Sequence, residues 1–139
     1  MDFTGKKVLV TGASRGIGRA TALAFARIGV NVAVTARNVK ELDSLVKECE
    51  ALGVKAEAFP ADASDTDAVY SIRDAVMKSF GKVDILVNNA GVALYATLAE
   101  TTIDDYDWMM NTNMRSTFLF SQAFVPAMIK QKSGTVIFV

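Results

Sequence analysis

The 139-residue chain contains no histidine. That removes His-based catalytic triads, imidazole acid–base chemistry and the usual zinc sites together, and no metal site is expected. A single cysteine, Cys49, excludes an internal disulfide and fits a reducing compartment, so a cytoplasmic location is expected. Prolines number only two, while 51% of the residues are hydrophobic and 22% charged, the balance of a folded globular chain and not a disordered one. Neither sign of charge is in excess: fifteen basic and fifteen acidic residues cancel, and no basic block occurs, so neither nucleic acid nor an anionic membrane surface is an expected partner. No apolar run approaches the ~18 residues of a membrane span. The start, Met1-Asp2-Phe3-Thr4-Gly5, lacks the charged and apolar regions of a signal peptide.

What is present is alternation. Short β-branched runs take turns with helical periodicity, the pattern of βαβ units. Strands are predicted at 7–11, 32–36, 54–59, 83–87 and 135–139. Between them the first helix runs from about Arg15 to Ile28, with Ile17, Thr21, Ala24 and Ile28 on one face and Gly29 as its stop. Asn38 can cap the second, with Glu41 three residues on, and Leu42, Leu45, Val46, Cys49 and Leu52 form its apolar stripe. Ser64 with Asp67 is expected to open the third, which carries Val69, Ile72, Val76 and Phe80. From Thr102 to Lys132 the chain reads as mostly helical, broken near 108–113 and bent by Pro126. Strands this apolar are expected to be covered on both faces. No linker or repeat interrupts the pattern, so residues 1–139 are expected to form one domain: a Rossmann-type, doubly wound parallel sheet of five strands, order 3-2-1-4-5, in three α/β/α layers.

The turn after the first strand reads Thr11-Gly12-Ala13-Ser14-Arg15-Gly16-Ile17-Gly18. Gly12 permits a tight turn, Gly16 lets backbone approach a ligand, and Gly18 lets helix and sheet pack closely. The helix start then offers free N–H groups and partial positive charge to a pyrophosphate. Ordinary turn glycines would account for three glycines alone; their place between strand and helix favours phosphate binding. An NAD site commonly puts a carboxylate at the end of the second strand, for the ribose 2′-hydroxyl. Here Ala36 and Arg37 stand there instead. Arg37 can grip a 2′-phosphate through a charge-assisted fork, and Arg15 can reach the same group from the glycine turn. Each such bond is worth ~1.5–3 kcal/mol. Either arginine alone could be a solvated surface residue; the pair, without the acid, makes NADP(H) the expected cofactor.

With these residues in view the chain resembles the classical short-chain dehydrogenase/reductase family. Thr11 to Gly18 resembles its cofactor loop, with Ser14 and Ile17 inside it. Asp62 resembles the acid beside the adenine ring. Asn88-Asn89-Ala90-Gly91 is similar to the family's Asn-Asn-Ala-Gly stretch near the cofactor, and Asn113 matches the catalytic asparagine. The resemblance covers the whole chain in order, and implies hydride transfer between a nicotinamide and a small-molecule carbonyl or secondary alcohol. It also implies a homo-oligomer.

The family's catalytic serine and its Tyr-x-x-x-Lys pair are missing. Tyr70, Tyr95 and Tyr106 are followed four residues on by Asp74, Ala99 and Met110. The chain is therefore expected to be the cofactor-binding portion of such an oxidoreductase and inactive alone. A free-standing or engineered nucleotide-binding module is the alternative. If the chain ends at Val139, the fifth strand is a bare hydrophobic edge, and self-association is expected. Asp104, Asp105 and Asp107 suit a helix's first turn better than a metal. Cys49 and the methionines Met109, Met110, Met114 and Met128 are expected to fill core or interface space.

Overall fold

The structure, a computed structural model, describes residues 3–139. Met1 and Asp2, at the amino-terminal start, lie outside the described residues. Five strands pair in parallel in the order β3-β2-β1-β4-β5, with β1 at Lys7–Thr11, β2 at Asn31–Thr35, β3 at Ala56–Ala58, β4 at Ile85–Asn88 and β5 at Thr135–Phe138. The central strand sets the register: Val8 lies opposite Val32 on one side and Ile85 on the other.

The two-residue period of a strand divides its side chains between two faces. Val8, Val10, Val32 and Val34 point to one side, where α1 (Gly16–Arg27) and α2 (Val39–Ala51) bring Ala22, Ala26, Leu42, Leu45 and Cys49. Leu9, Ala33 and Leu86 point to the other, where α3 (Thr66–Phe80) and α5 (Ser116–Gln131) bring Val69, Ile72, Phe120 and Phe124. Around the central strands β1, β2 and β4 both faces are thus dry, as the unbroken apolar runs require.

Local signals explain where helices begin. Asn38 caps α2, its side chain accepting from the Glu41 N–H at 3.3 Å. The third helix opens on Asp65 and not on Ser64: Asp65 accepts from the Ala68 N–H at 3.1 Å, while Ser64 turns back to Asp62. Thr102 and Asp105 form a reciprocal capping box for α4 (Ile103–Met110). The segment expected to break near 108–113 does not break. It widens into a π-helical turn, Asn111–Arg115, and continues straight into α5, which keeps Pro126 inside.

Three expectations about burial are corrected. The inward face of α1 is Gly18, Ala22 and Ala26, whereas Ile17 and Ile28 are exposed. Close approach of this helix to the sheet demands small side chains, so bulk is turned outward. Strand β5 is not covered on both faces: Phe138 is 64% exposed, and only Val136 joins the core cluster beneath it. Among the methionines, Met128 is buried, while Met110 and Met114 are exposed beside Tyr106 and Phe118 along α4 and α5. Leu52, expected in the α2 stripe, is exposed as well.

At the amino end of the sheet, Asp84 clasps three strands. Its carboxylate accepts from the Lys7 N–H at 3.0 Å and from Lys82 Nζ at 2.7 Å. Its backbone N–H donates to the Lys7 carbonyl, and its carbonyl accepts from the Thr135 N–H. Burial pushes the carboxyl upward, but the bonds from Lys82 and Lys7, with the charges of Lys82 and Lys6, outweigh it and hold it below the ordinary aspartate value.

Candidate functional site

Strand order reverses between β1 and β4, and an open α/β sheet forms its ligand crevice at the carboxyl ends of strands flanking such a point. The β1–α1 turn and the loop after β4 meet there and are bonded to each other. The Thr11 hydroxyl accepts from the N–H groups of Asn89 (3.0 Å) and Ala90 (2.9 Å). In return Asn89 Nδ2 donates to the carbonyls of Thr11 (3.0 Å) and Gly12 (3.2 Å). Ala13 ties the same turn to β2 through its N–H and the Thr35 carbonyl, 3.2 Å apart.

The three glycines do different things. Gly12 has φ +63°, and a methyl group on it would stand 2.7 Å from Ala90 Cα, so the turn and the loop can close together only without a side chain. Gly18 has ordinary helical backbone, yet its added carbon would meet Asn89 Nδ2 at 2.4 Å and the Gly12 carbonyl oxygen at 2.5 Å. Gly16 differs: at φ +57° nothing lies within 4 Å of the position, so its exposed backbone faces open space. Arg15, just before α1, is extended and makes no capping bond with its side chain, leaving the first N–H groups of the helix available.

These elements enclose a cleft of about 690 Å³. Of the residues singled out from sequence, Gly12, Ser14, Arg15, Gly16 and Ile17 form one bank, Arg37 and Asp62 one end, and Asn89, Ala90 and Gly91 the other bank. Ala36 lines it where a carboxylate could have stood. Gly18 does not line the cleft; it supports the bank from behind. Asn38, Glu41 and Thr112 line it too and were not singled out as site residues. Local pattern marks Asn38 and Glu41 only as a helix start, since only the fold brings α2 and the π-helical turn to the same opening.

Asp62 is held in place by its own loop, accepting from the Ser64 N–H (2.9 Å) and hydroxyl (2.8 Å). Those two bonds, with the nearby charge of Arg37, keep its carboxyl below the ordinary range. Asn113 sits in the π-helical turn with both ends of its amide engaged: Oδ1 accepts from the Val92 N–H at 2.7 Å, and Nδ2 donates to the Val92 carbonyl at 2.9 Å. Gly91 packs against it, and a methyl group on that glycine would fall 3.4 Å from Asn113 Oδ1. The side chain thus positions the loop that ends the bank. The wide turn also frees carbonyls, and the hydroxyls of Ser116 and Thr117 donate to those of Thr112 and Asn113. Behind the cleft Arg19 forks onto Glu48, at 2.6 and 3.2 Å, joining α1 to α2. Among the described residues no three carboxylates or thiols converge as a metal site.

A glycine turn entering a helix, opposite a β4 loop at the reversal point, defines a Rossmann-type nucleotide cleft. The sequence profile of the short chain dehydrogenase family matches residues 6–139, and the chain belongs to that family. It is 39% identical over 137 residues to the 3-oxoacyl-(acyl-carrier-protein) reductase FabG of Thermotoga maritima, covering 99% of this chain and 56% of the relative. The chain spans about half the length of the curated relatives it matches. Among solved structures, a metagenomic short-chain oxidoreductase in complex with NADP superposes with a TM-score of 0.93 at 37% identity, over 99% of this chain and 63% of that one. An NAD+-bound xylitol dehydrogenase superposes with a TM-score of 0.95 at 33% identity, over 99% of this chain and 54% of that one.

Proposed function

We propose that this chain is the NADP(H)-binding part of a short-chain oxidoreductase acting on a small-molecule carbonyl or secondary alcohol. The observation that carries the cofactor choice is the pair Arg15 and Arg37 on one cleft, with Ala36 at the end of β2 and no ion pair on either guanidinium among the described residues. Two guanidiniums without ion pairs on one cleft favour a 2′-phosphate, and the missing β2 carboxylate removes the group that would repel it.

The residues fit a dinucleotide in detail. Open backbone at Gly16 and the uncapped start of α1 would hold the pyrophosphate, Arg37 and Arg15 the 2′-phosphate, and the Asp62 end the adenine. Asn89, Ala90 and Gly91 would line the path of the second ribose. When bound, the nicotinamide supplies or accepts the hydride. Asn113 contributes by fixing Val92, and with it the loop on which that ring would rest. With no Tyr-x-x-x-Lys in these residues, turnover by this polypeptide alone is not expected. The exposed stripe of Tyr106, Met114 and Phe118 supports a homo-oligomer. No helix among the described residues is long and apolar enough to cross a membrane.

Titration of the protein with NADPH and NADH tests the reading. Arg37→Asp should weaken NADPH at least tenfold more than NADH, since it removes a charge-assisted fork and adds repulsion. Equal losses for the two nucleotides would refute the assignment.

A further inference from the structure

We infer that Glu41 is a specificity-determining residue of this cleft, one that holds down its affinity for the 2′-phosphate. Selectivity between the two nicotinamide nucleotides is then a balance of Arg15 and Arg37 against Glu41, and not the work of the arginines alone. The inference rests on the NADP(H) reading above.

Four charged side chains line the cleft: Arg15, Arg37, Glu41 and Asp62. The two acids are differently held. Asp62 is bound by the Ser64 N–H and hydroxyl, which fix its direction and absorb part of its charge. Glu41 has no hydrogen bond or ion pair to its carboxylate among the described residues, although its charge reaches Arg19. Its backbone is anchored, because its N–H donates to Asn38 Oδ1 at the start of α2. A free carboxylate therefore swings from a fixed root, in the first turn of a helix, four residues beyond Arg37.

That placement opposes a phosphate in two ways. The positive end of α2 already has an anion, so an arriving phosphate shares that field with Glu41. A 2′-phosphate carries up to about two negative charges, and a carboxylate lining the same cleft repels both. Both effects fall chiefly on the 2′-phosphate at the Arg37 end and act less on the phosphates held at the start of α1.

Equilibrium titrations with 2′,5′-ADP and 5′-AMP, which differ only by the 2′-phosphate, isolate this term, using the protein as it stands, Glu41→Gln and Arg37→Ala at low and high salt. Glu41→Gln should tighten 2′,5′-ADP by about three- to tenfold, leave 5′-AMP within about twofold, and lose most of that gain at high salt. An unchanged ratio in Glu41→Gln, or a weaker hold on 2′,5′-ADP, overturns the inference, provided Arg37→Ala abolishes the preference for 2′,5′-ADP. If Arg37→Ala leaves that preference intact, or the protein shows none to begin with, the NADP(H) reading falls and the inference with it. Because Glu41 is solvent-exposed, the substitution is not expected to disturb folding.

Discussion

Replacing Gly18 by alanine separates two accounts of the glycine turn, because they predict opposite signs. Helix propensity alone says that Gly→Ala inside a helix stabilises by about 1 kcal/mol. The backbone at Gly18 is ordinary, so no conformational strain offsets that gain. Packing says otherwise. The added carbon would lie 2.5 Å from the Gly12 carbonyl oxygen, a backbone atom that cannot rotate away, and 2.4 Å from Asn89 Nδ2. Overpacking of this kind costs about 1–3 kcal/mol. Displacing the Asn89 amide also forfeits its bonds to Thr11 and Gly12, each worth about 0.5–1.5 kcal/mol net. Less the gain in helix propensity, the sum is a loss of about 1–5 kcal/mol, a large share of the 5–15 kcal/mol typical of a domain. Gly16→Ala supplies the contrast: it meets no atom within 4 Å and carries only the left-handed backbone cost of about 1–2 kcal/mol. Urea unfolding followed by circular dichroism should lower the midpoint of Gly18→Ala by about 1 M or more, clearly beyond Gly16→Ala. A Gly18→Ala protein as stable as its parent would refute the interlocking of turn and loop.

Two further predictions concern the rest of the sheet. Asp84→Asn should cost about 1–3 kcal/mol at neutral pH by loosening the clasp of Lys7 and Lys82. Since the folded carboxyl lies below its ordinary value, this stabilisation is present above the ordinary aspartate range and fades as pH falls through the depressed one. Urea midpoints of the two proteins should converge in acid, and a gap that persists there counts against the clasp. Burial pushes the Cys49 thiol up to about 11, so at pH 8 it should resist a disulfide reagent until the protein is unfolded; immediate modification of the native protein would contradict its placement.

The strand order was legible because the strands are unbroken β-branched runs and the turns carry their own punctuation. Asn38 and Gly29 announced the ends of their helices for the same reason. Reading α1 failed where chemistry and bulk diverge: Ala22 and Ala26 carry a weak apolar signal, yet only small residues let the helix sit tight on β1. Ser64 and Asp65 both qualify as caps by type, and only the Asp62 turn decides between them. Most of the site was visible because its residues lie in short contiguous motifs. Glu41 and Thr112 belong to it through tertiary convergence, which leaves no local pattern. The π-helical turn was equally silent, since it depends on Asn113 reaching Val92 twenty-one residues away.

The bonds running from Thr11 through Asn89 and Val92 to Asn113 make the opening of this crevice rigid before anything enters it. A guest there need not fold a loop or draw two walls together, so little of its attraction is spent on ordering main chain. On this rim the long charged side chains, Glu41 among them, have no such ties at their tips. Discrimination among guests is therefore adjustable at those tips by single replacements, with the scaffold left as it is.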